Sequence, residues 1–164
     1  MRSWFRIAAA AALLPAAGCA SVEAGAPLEI YVMRHLAAGT GTDPGLTVQG
    51  AADAERLAGW FAGRKAPRTI YVSTYRRSSE TAAPLAARLK LAPKVYDPAD
   101  SAALAASVLA EKGPVLVVAH SNTVPEIVER LGGARPGPIA HHQHGDIWRV
   151  SGRARTTEQL KLEP

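Results

Sequence analysis

Ile30-Tyr31-Val32-Met33-Arg34-His35 is an apolar run that ends on an arginine-histidine pair. It shows no polar alternation, so it predicts a strand buried on both faces, the kind found in parallel sheets covered by helices. A second run of this type, Val115-Leu116-Val117-Val118-Ala119-His120, ends on another histidine 85 positions later. Between them, Val72-Ser73-Thr74-Tyr75-Arg76-Arg77 brings arginines to the end of a third apolar stretch. In open α/β sheets ligands bind beyond the carboxyl ends of the strands. Three buried strands that each deliver an Arg or a His to that edge predict a preformed cationic pocket suited to a phosphoryl group.

The segments around these runs complete an alternating pattern. Residues 36–46 carry glycines, a proline and an aspartate and read as a loop. Thr47 is placed to cap a helix reaching about Gly63, with Val48, Ala51, Ala52, Leu57, Ala58 and Phe61 spaced as one apolar face. Residues 69–73 form the second strand, 79–89 a helix bent near Pro84, 94–96 a short strand, and 101–112 a helix with Leu104 and Val108 inward. After the most apolar strand, 114–119, Thr123-Val124-Pro125-Glu126 fits a capping box for a helix that stops at Gly132-Gly133. Residues 146–150 and 156–162 read as two closing strands. The expected architecture is α/β: a three-layer sandwich whose mostly parallel central sheet is flanked by helices.

At 164 residues the chain is large enough for one ordinary core. Arg2 and Arg6, an apolar stretch over 7–17 and Ala16-Ala17-Gly18-Cys19 make residues 1–19 a targeting segment rather than structure; the apolar part is shorter than the roughly 20 residues a spanning helix needs. The small residues before the only cysteine resemble a bacterial lipoprotein processing site, with Cys19 lipidated, although Ala16 stands where leucine is commonest. A plain secretory signal cut near Ala20 is the other reading. Either way the mature chain is expected outside the cytoplasm, in the periplasm of a two-membrane cell. As a lipoprotein it would be held to the membrane only by its lipid, with the outer membrane favoured because Ala20 is uncharged. Residues 20–27 form a tether and 28–164 the domain. Without Arg2 and Arg6, 17 basic side chains face 14 acidic ones, and no basic stripe with interleaved aromatics appears, so nucleic acid is not an expected partner.

Phosphoryl transfer to a side chain needs a nucleophile, cations around the phosphoryl oxygens and an acid for the leaving group. A neutral imidazole serves as nucleophile, and a neighbouring arginine disfavours the imidazolium. The guanidinium fork matches phosphoryl oxygens with paired, charge-assisted hydrogen bonds, and amides at the start of the helix after His120 would add to them. Arg34-His35, Leu46-Thr47 with Gly50, Ser73 with Arg77 and Thr81-Ala82, and Val117-Val118-Ala119-His120 together resemble the histidine phosphatase (phosphoglycerate mutase-like) superfamily over roughly residues 28–150. The resemblance implies that His35 is the nucleophile that becomes phosphohistidine, while Arg34, Arg77 and His120 hold the phosphoryl oxygens. It selects Arg77 over Arg76, because the family's second pocket arginine stands four after the serine. It implies no metal or organic cofactor, and a small phosphorylated substrate, with an envelope sugar phosphate among those that fit an exported chain.

Two positions depart from the family pattern. Leu36 stands where relatives carry glycine, and its side chain is expected to narrow the pocket or alter the turn. Ser121 and Asn122 follow His120 where many relatives have glycine, and both retain donors for phosphate. Asp97 is the preferred general acid, ahead of Glu80, Glu111 and Asp100, although Asp97 and Asp100 equally suit turn positions around Pro98. Short relatives acting on phosphohistidine lack this acid. His141, His142 and His144 suggest a metal site or substrate contacts, with an exposed loop as the plainer reading. The expected activity is a histidine-nucleophile phosphatase. Its rivals are a phosphate-recognising lipoprotein of the same fold in which Leu36 has spoiled turnover, and a structural envelope lipoprotein.

Overall fold

The computed structural model describes residues 28–162, so the expected signal at 1–19, Cys19 and the tether at 20–27 lie outside the described residues. Six strands, β1 (Ile30–Arg34), β2 (Thr69–Ser73), β3 (Lys94–Tyr96), β4 (Val115–Ala119), β5 (Asp146–Ser151) and β6 (Thr156–Lys161), form one sheet in the order β3-β2-β4-β1-β5-β6. The first four are mutually parallel; β5 runs antiparallel to β1, and β6 to β5. The sheet is therefore mixed but mostly parallel.

Helices α1 (Val48–Trp60) and α2 (Arg76–Leu89) cover one face, and α3 (Ser101–Leu109) and α4 (Val124–Arg130) cover the other. Strand alternation sorts the core accordingly. Tyr31, Met33, Val72, Leu116 and Val118 pack with Leu57, Phe61 and Leu85, whereas Ile30, Val32, Val115 and Val117 pack with Leu104, Val108, Ile127 and Leu131. Because both faces are covered, β1 and β4 are apolar at nearly every position.

The topology brings separate sequence segments to one edge. β4 lies between β2 and β1, with Arg34 opposite Ala119 and Val72 opposite Val118. The residues that follow, His35, His120 and Ser73, therefore emerge side by side, and His35 N–H continues the ladder to the Ala119 carbonyl at 2.9 Å. Thr47 caps α1 by accepting from Gly50 N–H at 3.0 Å. Gly50 is required there, since a Cβ at that position would lie 2.0 Å from the Ala37 carbonyl oxygen in the loop after His35.

Three local readings differ from the structure. Helix α2 starts at Arg76, three residues before the expected start, with the Ser78 and Ser79 amides bonded to the Tyr75 carbonyl. Tyr75 at the cap position makes no side-chain bond, and the Asp43 carboxylate, distant in sequence, accepts from the Arg76 amide at 3.0 Å instead. The local sequence therefore carries no signal for this start, and Arg77 lies on the first helical turn rather than at the strand end. The Thr123–Glu126 capping box is not formed. Thr123 is already helical and makes no cap bond; its Oγ1 instead accepts from the His120 amide at 3.2 Å, and Glu126 pairs with Arg130. Helix α3 ends at Leu109, and just beyond it Glu111 accepts hydrogen bonds from Thr69, Tyr71 and Lys94.

Candidate active site

A cavity of about 660 Å³ opens at the carboxyl ends of β1, β2 and β4, and Arg34, His35, Arg77, His120 and Ser121 all line it. Its volume lies in the ordinary range for small-molecule sites. His35 and His120 are nearly buried, with ring centroids 5.3 Å apart. His35 Nδ1 lies 2.8 Å from the Leu36 carbonyl. A carbonyl oxygen only accepts, so the proton is on Nδ1 and the lone pair on Nε2. Burial lowers the pKa of His35 to about 4, opposed by the Leu36 bond and assisted by His120, Arg34 and Arg77. Burial, then Arg77 and Arg34, brings His120 to about 4 as well. Both rings are neutral near pH 7. His120 Nε2 is 2.9 Å from Ser73 Oγ, which fixes that ring from β2.

Arg34 is 6% exposed. Its Nη1 donates to the carbonyls of Ala140, His141 and Gln143 at 2.9, 2.8 and 3.1 Å, which holds the loop before β5. Its Nε is buried with no protein partner. The Arg34 side chain also lines the cavity, where a guanidinium suits an anionic oxygen. Burial and then repulsion from Arg77 lower the pKa of Arg34, a penalty that a bound anion would relieve. Arg77 lies over the Tyr75 ring at 4.3 Å, with Asp43 3.9 Å from its Nη1. Arg76 points to Glu80 and is exposed. The structure thus brings Arg77, not Arg76, to the cavity.

Leu36 does not narrow the pocket. It is fully buried among the residues beneath α1 and α2 and is absent from the cavity wall. Among the described residues positive φ at non-glycine positions occurs only at Lys90 and Arg155, so the Leu36 backbone does not need glycine. Its amide donates to Thr81 Oγ1 at 3.0 Å, and Glu80 accepts from the Leu46 amide at 2.6 Å. Glu80 and Thr81 therefore tie both ends of the 36–46 loop to α2, which gives Glu80 a structural task.

Asp97 is not brought to the cavity. Its exposed carboxylate accepts from the Ala99 amide at 2.9 Å, closing its own turn, while Pro98 and Ala99 supply the wall. Asp100 caps α3 through the Ala103 amide. No carboxylate lines the cavity among the described residues. The amides of Thr123 and Val124 both bond the His120 carbonyl, so the start of α4 serves the turn after His120. His141 and His144 do reach the cavity, and His144 Nδ1 donates to the His35 carbonyl at 3.0 Å. No cluster of three or more His, Cys, Asp or Glu suited to a metal occurs among the described residues. Tyr75, whose ring meets His120 edge-on at 5.1 Å, was not singled out by sequence reasoning; an aromatic between strand and helix carries no distinguishing pattern.

The family model described as "Histidine phosphatase superfamily (branch 1)" matches residues 32–100, which include Arg34, His35 and Arg77. That segment resembles the superfamily, and the described domain has a phosphoglycerate mutase-like fold. The protein histidine phosphatase SixA in complex with tungstate is similar in fold, with a TM-score of 0.62 and 21% identity over 82% of this chain and 97% of that one. A putative phosphohistidine phosphatase SixA from Agrobacterium tumefaciens gives 0.61 and 20% over 83% and 97%. A mycobacterial glucosyl-3-phosphoglycerate phosphatase gives 0.60 and 16% over 82% and 97%. No curated protein matches the chain in sequence. His120 falls outside the matched segment, and the sheet order brings it beside His35.

Proposed function

We propose that this chain hydrolyses small phosphomonoesters through a phosphohistidine on His35. The observation that carries the reading is the meeting of Arg34, Arg77, His35 and His120 at the wall of a cavity with no carboxylate among the described residues, with His35 Nδ1 already engaged by the Leu36 carbonyl. The Nε2 lone pair of His35 attacks phosphorus, the bond to the leaving oxygen breaks, and that oxygen departs with the electron pair. Arg34 and Arg77 hold the equatorial oxygens. With Ser73 donating to its Nε2, His120 offers Nδ1–H to the same group. Water then attacks phosphorus, the P–N bond breaks, and His35 is regenerated.

Export belongs to the same proposal. Residues 1–19 act as a lipoprotein-type signal, Cys19 carries the lipid, and the domain works in the periplasm at the outer membrane on substrates such as envelope sugar phosphates. The exposed strand-end cavity suits such small phosphates, and its walls do not select one. The test is hydrolysis of p-nitrophenyl phosphate by the full chain in detergent beside His35→Ala, which should lose about 10³-fold or more. Turnover no higher than that variant's refutes the enzyme reading; tight vanadate binding without turnover would indicate a phosphate-binding lipoprotein instead. Fatty-acid labelling that survives Cys19→Ser removes the anchor claim.

A further inference from the structure

Cleaving an alkyl phosphate requires a proton for the leaving oxygen, and hydrolysing phosphohistidine requires a base for water. The cavity wall offers no carboxylate for either task among the described residues. Beside the arginines, its remaining titratable groups are the Tyr75 phenol, whose ring is packed against Arg77 and His120, and the imidazoles, two of which are engaged: His35 as nucleophile, and His120 by Ser73.

His144 is fixed differently. The loop that carries it is clamped by the three carbonyl bonds from Arg34, and β5 and β6 meet just beyond it, where the Leu162 amide donates to the Gly145 carbonyl at 2.8 Å. Its ring is half-buried, lines the cavity, and lies 5.9 Å from the His35 ring between centroids. Because Nδ1–H is held by the His35 carbonyl, any proton gained or lost is exchanged at Nε2, and the positioning bond survives in both states. His141 also lines the cavity, but it is exposed, and no hydrogen bond fixes its ring among the described residues.

We propose, resting on the phosphatase reading above, that His144 is the proton carrier of this site. In the first half-reaction protonated His144 gives its Nε2 proton to the leaving oxygen as the P–O bond breaks and the bond from His35 Nε2 to phosphorus forms. In the second, neutral His144 takes a proton from water as the water oxygen bonds to phosphorus and the P–N bond breaks. Phosphate leaves, His35 is neutral again, and His144 is re-protonated. The groups acting on its charge are Arg34 of β1 and His141 of its own loop, which disfavour the cation, and Asp53 of α1 and the His35 carbonyl, which favour it.

The test compares kcat/KM, which reports formation of the phosphoenzyme, for an alkyl phosphate and for p-nitrophenyl phosphate, whose leaving group needs no proton. The variant is His144→Asn in the full chain, because the asparagine amide can keep the bond to the His35 carbonyl. Alkyl phosphate should lose about 10²-fold or more and the aryl phosphate less than about 5-fold. The alkaline limb of the alkyl phosphate pH profile, lying below histidine's ordinary pKa, should disappear. Vanadate affinity serves as the folding control and should stay within about 3-fold of the parent. Equal losses on both substrates, an unchanged profile, or a leaving-group dependence that moves with His141→Asn instead would overturn the proposal. An unmodified chain that turns over neither substrate refutes the phosphatase reading and the proposal with it.

Discussion

Lowering the pH should destabilise this protein through the same two rings that make the site nucleophilic. An unfolded histidine titrates near 6.5, whereas folded His35 and His120 titrate at about 4. Between these values the unfolded chain binds more protons than the folded one, so stability falls as pH drops through the window and rises again as pH increases. Taking each ring from about pH 7.5 to about pH 5 costs roughly 2 kcal/mol, about 4 kcal/mol for the pair, a large share of the roughly 5–15 kcal/mol that holds a domain together. Burial causes most of the shift and the two arginines add to it; half-buried His144 acts in the same direction. The assay is urea unfolding at both pH values for the parent chain and for the His35→Gln/His120→Gln double variant. The parent should lose about 4 kcal/mol more than the double variant on acidification. Equal losses in the two proteins would refute the reasoning, because the rings would then titrate as freely as in the unfolded chain.

Three further outcomes follow from the site. Arg34→Lys keeps the charge but cannot span three carbonyls and a phosphoryl oxygen together, so kcat/KM for p-nitrophenyl phosphate should fall about 10²–10³-fold. Leu36→Ala removes a fully buried side chain and should cost about 2–5 kcal/mol in urea unfolding, while kcat at low temperature stays within about 3-fold. Asp97→Asn should change kcat less than about 3-fold on an alkyl phosphate, since that carboxylate closes a turn outside the cavity; a drop near 10²-fold would return the acid role to it.

The sequence by itself determined the strands and which residues end them. Burial on both faces writes a continuous apolar run into the chain, and a polar residue at the end of such a run is visible at once, as at Arg34-His35 and Ala119-His120. The resemblance to the histidine phosphatase pattern was enough to prefer Arg77 over Arg76. Tertiary structure decided what depends on neighbours distant in sequence. Only the insertion of β4 between β1 and β2 makes the two histidines adjacent. Leu36 lies in the core because the Thr81 and Glu80 bonds from α2 set the path of its loop. Asp97 spends its carboxylate on its own turn, a local alternative that residue type and order do not separate from catalysis. The 140–144 loop was the least legible part. Its backbone is held by a side chain more than a hundred residues earlier, and no periodicity or motif records that Arg34 carries it, and His144 with it, to the carbonyl of His35.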